Sequence, residues 1–174
     1  MRTIKTRLES IDKIYHIADV HVRNVKRHKE YEIVFKRLYS YIKKTKTPNS
    51  LIYVAGDIVH AKTDMSPELI NVVSKFFREL ANLAPTIVIT GNHDCNLNNS
   101  YRLDALSPIV KALDHQDLHY LKDNGIYLIS GVHFNVLSVY DKPADYIKAD
   151  TFEGDYKIAL HHGSVHNAST DAGF

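Results

Sequence analysis

Apolar residues fall into two spacings along the chain. Three short continuous runs, Lys13-Ile14-Tyr15-His16-Ile17-Ala18, Leu51-Ile52-Tyr53-Val54-Ala55 and Thr86-Ile87-Val88-Ile89-Thr90, are too short for helices and rich in β-branched and aromatic residues, so they predict strands. Helical spacing lies between them. Over residues 29–46, Ile33, Val34, Leu38, Tyr41 and Ile42 recur on one face, lysines gather in the last turn where they suit the helix dipole, and Pro48-Asn49 closes the helix. Ser66-Pro67-Glu68 offers an N-cap, a first-turn proline and an early acid for a helix running to about Leu83. Three strand-helix pairs in succession predict a right-handed parallel α/β sheet.

After a predicted helix over residues 103–113 the pattern shortens. Residues 118–121, 125–130 and 133–140 read as closely spaced strands, expected as antiparallel neighbours in a second sheet. Tyr156-Lys157-Ile158-Ala159-Leu160 makes a last strand that ends on His161-His162-Gly163, and the small, polar tail 164–174 reads as a loop. No repeat or Pro/Gly/Ser linker interrupts the chain, so residues 1–174 are expected to form one domain.

Composition narrows the class. With 44% hydrophobic and 24% charged residues the chain is globular in balance, which excludes a disordered tail, a collagen-like chain and a coiled coil. A net charge of only +2 leaves no overall footprint for nucleic acid, so any such partner must be argued locally. One cysteine, Cys95, cannot form an internal disulfide, and the N-terminus leads into no apolar signal region. With no run approaching the ~18 apolar residues of a membrane span, the expectation is a soluble, intracellular, cytoplasmic protein without membrane contact.

The chemistry lies where the strands stop. Four apolar runs end on metal-ligand residue types: Asp19-Val20-His21, Gly56-Asp57, Gly91-Asn92-His93-Asp94 and His161-His162. In an open parallel sheet the C-terminal strand ends share one edge, where ligands bind, so these groups are expected to converge. Carboxylate, amide and imidazole donors together suit Mn²⁺, Fe²⁺ or Zn²⁺, and a thiolate zinc site is excluded for want of a second cysteine. An aspartate between two ligand groups can bridge two ions about 3.5–4 Å apart, an arrangement suited to phosphoester hydrolysis.

In order and spacing, Asp19-x-His21, Gly56-Asp57-x-x-His60, Gly91-Asn92-His93-Asp94 and His161 resemble the calcineurin-like metallophosphoesterase superfamily across residues 13–163. The Gly-Asp-x-x-His form and the Leu160-His161 block look most like the SbcD-type nucleases of DNA double-strand-break repair and recombination. The resemblance implies an α/β fold, a two-sheet sandwich flanked by helices, and a metal-dependent hydrolase. It places Asp19 and His21 on one metal, Asp57 as the bridge, and Asn92 and His161 on the second metal. His93 becomes the general acid, Asp94 the residue that orients it, and His60 a contact to the phosphodiester. It also implies two divalent ions, Mn²⁺ first with Fe²⁺ or Zn²⁺ as alternatives, a DNA substrate, an SbcC-type ATPase partner and a homodimer. The family's later Gly-His-x-His block is not found before Phe174, so the sequence reads as an N-terminal portion expected to bind metal weakly. Two other functions stand beside the nuclease: a phosphatase or phosphodiesterase acting on small phosphoesters, and a catalytically silent scaffold domain.

Plainer readings compete residue by residue. His161 and His162 point to opposite sides of one strand, and His161, directly after the apolar run, is the expected ligand, with His162 behind it or in solvent. His16 reads as a core or sheet-face residue, and His28, His115, His119, His133 and His166 as surface, with His166 a remote substitute ligand. Cys95 reads as a small buried residue. Residues 22–46 hold nine Lys or Arg against two Glu, ordinarily a solvated helix face. Because Arg23, Lys26 and Arg27 follow His21 directly, they are also candidate phosphate contacts. Asn96, Asn98, Asn99, Tyr101 and Arg102 form a polar loop and are candidates for substrate contact or for supporting the metal ligands.

Overall fold

A computed structural model describes residues 1–163; the predicted tail loop and His166 lie outside the described residues. Strand β2 (Lys13–Ile17) leads to helix α1 (His28–Thr45), β3 (Ser50–Val54) to α2 (Pro67–Leu83), and β4 (Thr86–Val88) to α3 (Ser107–Leu113) and β5 (Leu118–Tyr120). These strands form one wholly parallel sheet in the order β2-β3-β4-β5. A second sheet has the order β1 (Arg2–Thr3), β6 (Gly125–Ile129), β7 (Val132–Leu137), β8 (Tyr156–His161). Within it β6 and β7 are antiparallel, whereas β1 joins β6 and β8 joins β7 in parallel. The fold is the expected α/β two-sheet sandwich with helices against it.

Burial explains the layers. Leu51 and Tyr53 of β3 face the second sheet, meeting Ile87, Ile89, Tyr127, Phe134 and Leu160, while Ile52 and Val54 face the helices. A strand buried on both faces reads as a continuous apolar run, as β3 does. On the helix side α2 supplies Leu69, Val72, Val73, Phe76, Phe77, Leu80 and Ala81, a complete apolar stripe at helical spacing. Its start is the predicted one, with Pro67 in the first turn and the Ser66 hydroxyl accepting from Leu69 N at 3.2 Å.

Two expectations change and one strand is new. Residues 118–120 do not join the antiparallel set; they form the parallel edge strand β5 of the first sheet, because α3 intervenes and makes the connection a βαβ crossover. Strand β1 is too short to carry a period and is recruited only through its pairing with Tyr127 and Leu128. In α1 the buried residues are Phe35 and Ile42, while Ile33, Val34 and Tyr41 stand exposed, so the inward face is rotated from the expected stripe. No helix among the described residues is long and apolar enough to cross a membrane.

Candidate metal centre

The loops after β2, β3 and β4 leave the same edge of the parallel sheet and remain bonded beyond the strands. Asp19 N donates to Gly56 O at 3.3 Å, His21 N to Asp57 O at 2.9 Å and Val22 N to Ile58 O at 2.8 Å. Asp19, His21 and Asp57 all hold left-handed backbone (φ 54°, 48° and 52°), a conformation uncommon outside glycine that clusters at functional sites. Gly56 and Gly91 allow the two central loops to touch. A Cβ on Gly56 would lie 2.5 Å from Gly91 N, and one on Gly91 would overlap the Asp57 carboxylate.

The Asp57 side chain is the centre of the cluster and only 4% exposed. Its Oδ1 accepts from His93 N at 2.8 Å, leaving Oδ2 to face two groups. On one side His21 Nε2 lies 3.5 Å from Oδ2 and 3.6 Å from Asp19 Oδ1. On the other, His162 Nε2 lies 3.2 Å from Oδ2 and 3.0 Å from Asn92 Oδ1. His162 Nδ1 bonds Ala55 O at 2.7 Å, and a carbonyl can only accept, so Nδ1 carries the proton. In the neutral ring Nε2 then presents a lone pair to an amide oxygen and a carboxylate oxygen. Lone pairs so converged repel unless a cation stands among them. This donor set, oxygens and imidazole nitrogens around a shared carboxylate, fits divalent metal on both sides of Asp57.

The candidate ligand on the last strand is therefore a correction. The structure puts His162, not His161, against Asp57 and Asn92; His161 turns away, with Nδ1 on Leu137 O at 3.2 Å and its ring beside Tyr146. Leu160 is buried between the sheets, so strand alternation sends His161 outward and returns His162 to the inner side. Alternation along the strand is a sequence rule, but which parity faces inward is set only when the second sheet buries Leu160.

His93 stands over the His21 side, their ring centroids 4.8 Å apart, and its Nδ1 donates to His60 O at 2.7 Å. One nitrogen from each of His21, His60 and His93 lies within 4.8 Å of the others. Loss of water around the His60 ring, then the Arg23 charge and the two neighbouring imidazoles, push its pKa below the ordinary value. Asp94 is the second correction. It does not touch the His93 ring: Oδ1 accepts from Ile58 N at 2.9 Å and Val59 N at 3.0 Å, and Oδ2 from Gly91 N at 3.0 Å. Burial pushes this carboxyl up to about 6, with the three amides acting in the opposite sense.

The basic trio is not gathered on the cluster. Arg27 pairs with Glu30, Lys26 is exposed, and only the Arg23 charge reaches His60. Two neighbours carry little signal in the sequence. Lys62 Nζ donates to Asn92 O at 3.3 Å, and the Tyr31 hydroxyl donates to His21 O at 2.7 Å; Tyr31 has only its place in a helical pattern to mark it. Of the remaining histidines expected at the surface, His28, His115, His119 and His133 are all half-buried, whereas Cys95 is buried as expected.

A protein of Acanthamoeba polyphaga mimivirus, described as uncharacterized protein R555, is 47% identical over 176 residues, which is 94% of this chain and 13% of that protein. The chain thus spans about an eighth of the relative's length. Among solved structures, the Pseudomonas putida nuclease MPE overlays 71% of this chain and 51% of its own with a TM-score of 0.40 and 19% identity, too partial a likeness to bear on activity. The family model for calcineurin-like phosphoesterases matches residues 12–173. With nearly its whole length matched, and with carboxylate, amide and imidazole donors gathered around Asp57, the chain belongs to the calcineurin-like phosphoesterase family.

Proposed function

We propose that this chain carries the catalytic centre of a two-metal nuclease that hydrolyses DNA phosphodiesters, in the manner of the SbcD-type enzymes of recombination and repair. Family membership brings phosphoester hydrolysis and the use of divalent metal; DNA, Mn²⁺ and an ATPase partner belong to the proposal. The observation that carries it is the Asp57 Oδ2 atom, placed between Asp19 and His21 on one side and Asn92 and His162 on the other.

Two divalent ions, when bound, supply an activated water nucleophile and positive charge for the phosphoryl oxygens. The remaining tasks fall to the chain itself. Asp19, His21 and Asp57 would hold one ion, and Asp57, Asn92 and His162 the other. His93, its Nδ1 fixed on the His60 carbonyl, presents Nε2 as the atom that gives a proton to the leaving oxygen. An imidazole is suited to this because it changes charge near neutral pH. His60, beside His93 and His21, favours the diester reading, since a second donor is useful where the phosphoryl group carries two ester oxygens and a single charge.

The test is His60→Asn in the full chain, assayed with Mn²⁺ on duplex DNA and on p-nitrophenyl phosphate. DNA cleavage should fall by about 10²-fold or more, the scale of a lost proton-donating group, with the monoesterase rate retained. An equal fall on both substrates would instead favour an enzyme of small phosphoesters.

A further inference from the structure

We infer that Asp94 is a positioning residue for the metal centre: with Asp57 it forms a reciprocal clasp in which each carboxylate holds the backbone of the other's loop. Asp94, in the loop after β4, accepts from Ile58 N and Val59 N in the loop after β3 at 2.9 and 3.0 Å. Asp57, in the loop after β3, accepts from His93 N in the loop after β4 at 2.8 Å. The second Asp94 oxygen closes its own turn through Gly91 N at 3.0 Å, and Asp94 O accepts from Ala105 N at 2.8 Å, tying the loop to the approach to α3.

The clasp has a directional consequence. Because Oδ1 of Asp57 is engaged by the His93 amide, the carboxylate cannot rotate freely, and Oδ2 is the oxygen that faces His21 and His162. Asp94 sustains that orientation at a distance by fixing the residues on either side: Ile58 and Val59 after Asp57, Gly91 before Asn92. Both carboxylates are buried, at 3% and 0% exposure, and so are Ile58, Val59 and Gly91, so water offers the amides held by Asp94 no substitute acceptor. The two loops abut closely, since a Cβ on Gly56 would lie 2.5 Å from Gly91 N and one on Gly91 would overlap the Asp57 carboxylate. Asp94 thus acts on the metal ligands and not on the His93 ring, which is held by His60 O.

The inference rests on reading these residues as a two-metal site, and its test separates the two claims. Asp94→Asn keeps the shape but replaces one acceptor oxygen with an NH₂ group that faces an N–H donor. In the full chain, Mn²⁺ titration by calorimetry should show a dissociation constant raised about 10–100-fold, with turnover substantially restored at saturating metal. His93→Ala should show the reverse split, with metal affinity kept and turnover lost. Unchanged affinity in Asp94→Asn, with turnover lost at saturating metal, would overturn the inference and return Asp94 to the service of His93. Failure of the wild-type chain to bind Mn²⁺ would overturn the metal-site reading itself. A measurement without any variant guards against misfolding: amide exchange of Ile58, Val59, Gly91 and His93 in the metal-free wild-type protein. These four should be among the slowest loop amides, and exchange at the rate of exposed loops would refute the clasp.

Discussion

At the scale of single residues, the histidines around the candidate site have separable duties. His93 offers Nε2 with its other nitrogen engaged, and it ligates nothing in the Asp57–Asn92–His162 group. His93→Ala should retain two bound metals per chain and lose about 10²–10⁴-fold in turnover, measured by elemental analysis alongside kcat. Loss of a metal would place His93 among the ligands. His162 and His161 form the sharper pair, because they are adjacent in sequence and opposite in direction. His162→Ala should weaken metal binding by at least about 10–100-fold, the cost of disturbing even a ligand's supporting residues, while His161→Ala stays close to wild type by calorimetry. If the two effects were exchanged, the parity set by Leu160 would be wrong.

At the scale of elements, α3 shows how a buried carboxylate fixes an element near the site. Asp104 Oδ1 accepts from Leu106 N at 2.9 Å and Ser107 N at 2.6 Å, and Oδ2 accepts from the Ser107 hydroxyl and pairs with Lys122 Nζ at 3.0 Å. Burial by itself would raise its pKa, but Ser107 and Lys122 together hold it below the ordinary aspartate value of 3.8. A carboxyl lowered in the folded state binds fewer protons there than in the unfolded chain. Its stabilisation is therefore complete above 3.8 and is lost as pH falls through the folded value. Asp104→Ala should cost about 1–3 kcal/mol near neutral pH, the scale of a helix cap and of buried donors left unpaired, and the gap to wild type should close in acid. Urea unfolding at pH 7 and at acidic pH measures it; a pH-independent difference would assign the effect to packing alone.

For the molecule as a whole, the metal centre is a junction of separate parts. The candidate ligands come from the loops after β2, β3 and β4 of one sheet and from the end of β8 of the other, with His162 crossing to Ala55 O. An ion held by these residues would link both sheets and would stabilise the folded state by mass action, about 2.7 kcal/mol at a hundredfold excess over its dissociation constant. Mn²⁺ should therefore raise the melting temperature and a chelator should lower it. His162→Ala should lose most of that rise, because it cuts the link to the second sheet, whereas an unchanged rise would confine the metal to the first sheet.

Strand runs, helix stripes and caps are local signals, so much of this molecule is legible in its amino-acid order. The Ser66-Pro67-Glu68 start of α2, the three parallel strands and the cluster of Asp19, His21, Asp57, Asn92 and His93 at their ends all follow from short-range patterns and one topological rule. What tertiary structure alone decided depends on contacts between distant segments. The outward turn of His161 needs the second sheet in place to bury Leu160. Strand β5 finds its sheet through α3, and β1 exists only by pairing with β6. Asp94 serves the amides of residues 58 and 59 and not the neighbouring imidazole, because the fold brings those buried donors within 3.0 Å and water cannot reach them. Residue types and spacing determined which groups meet at the sheet edge; packing across the two sheets determined which atom of each group faces Asp57 at the candidate metal site.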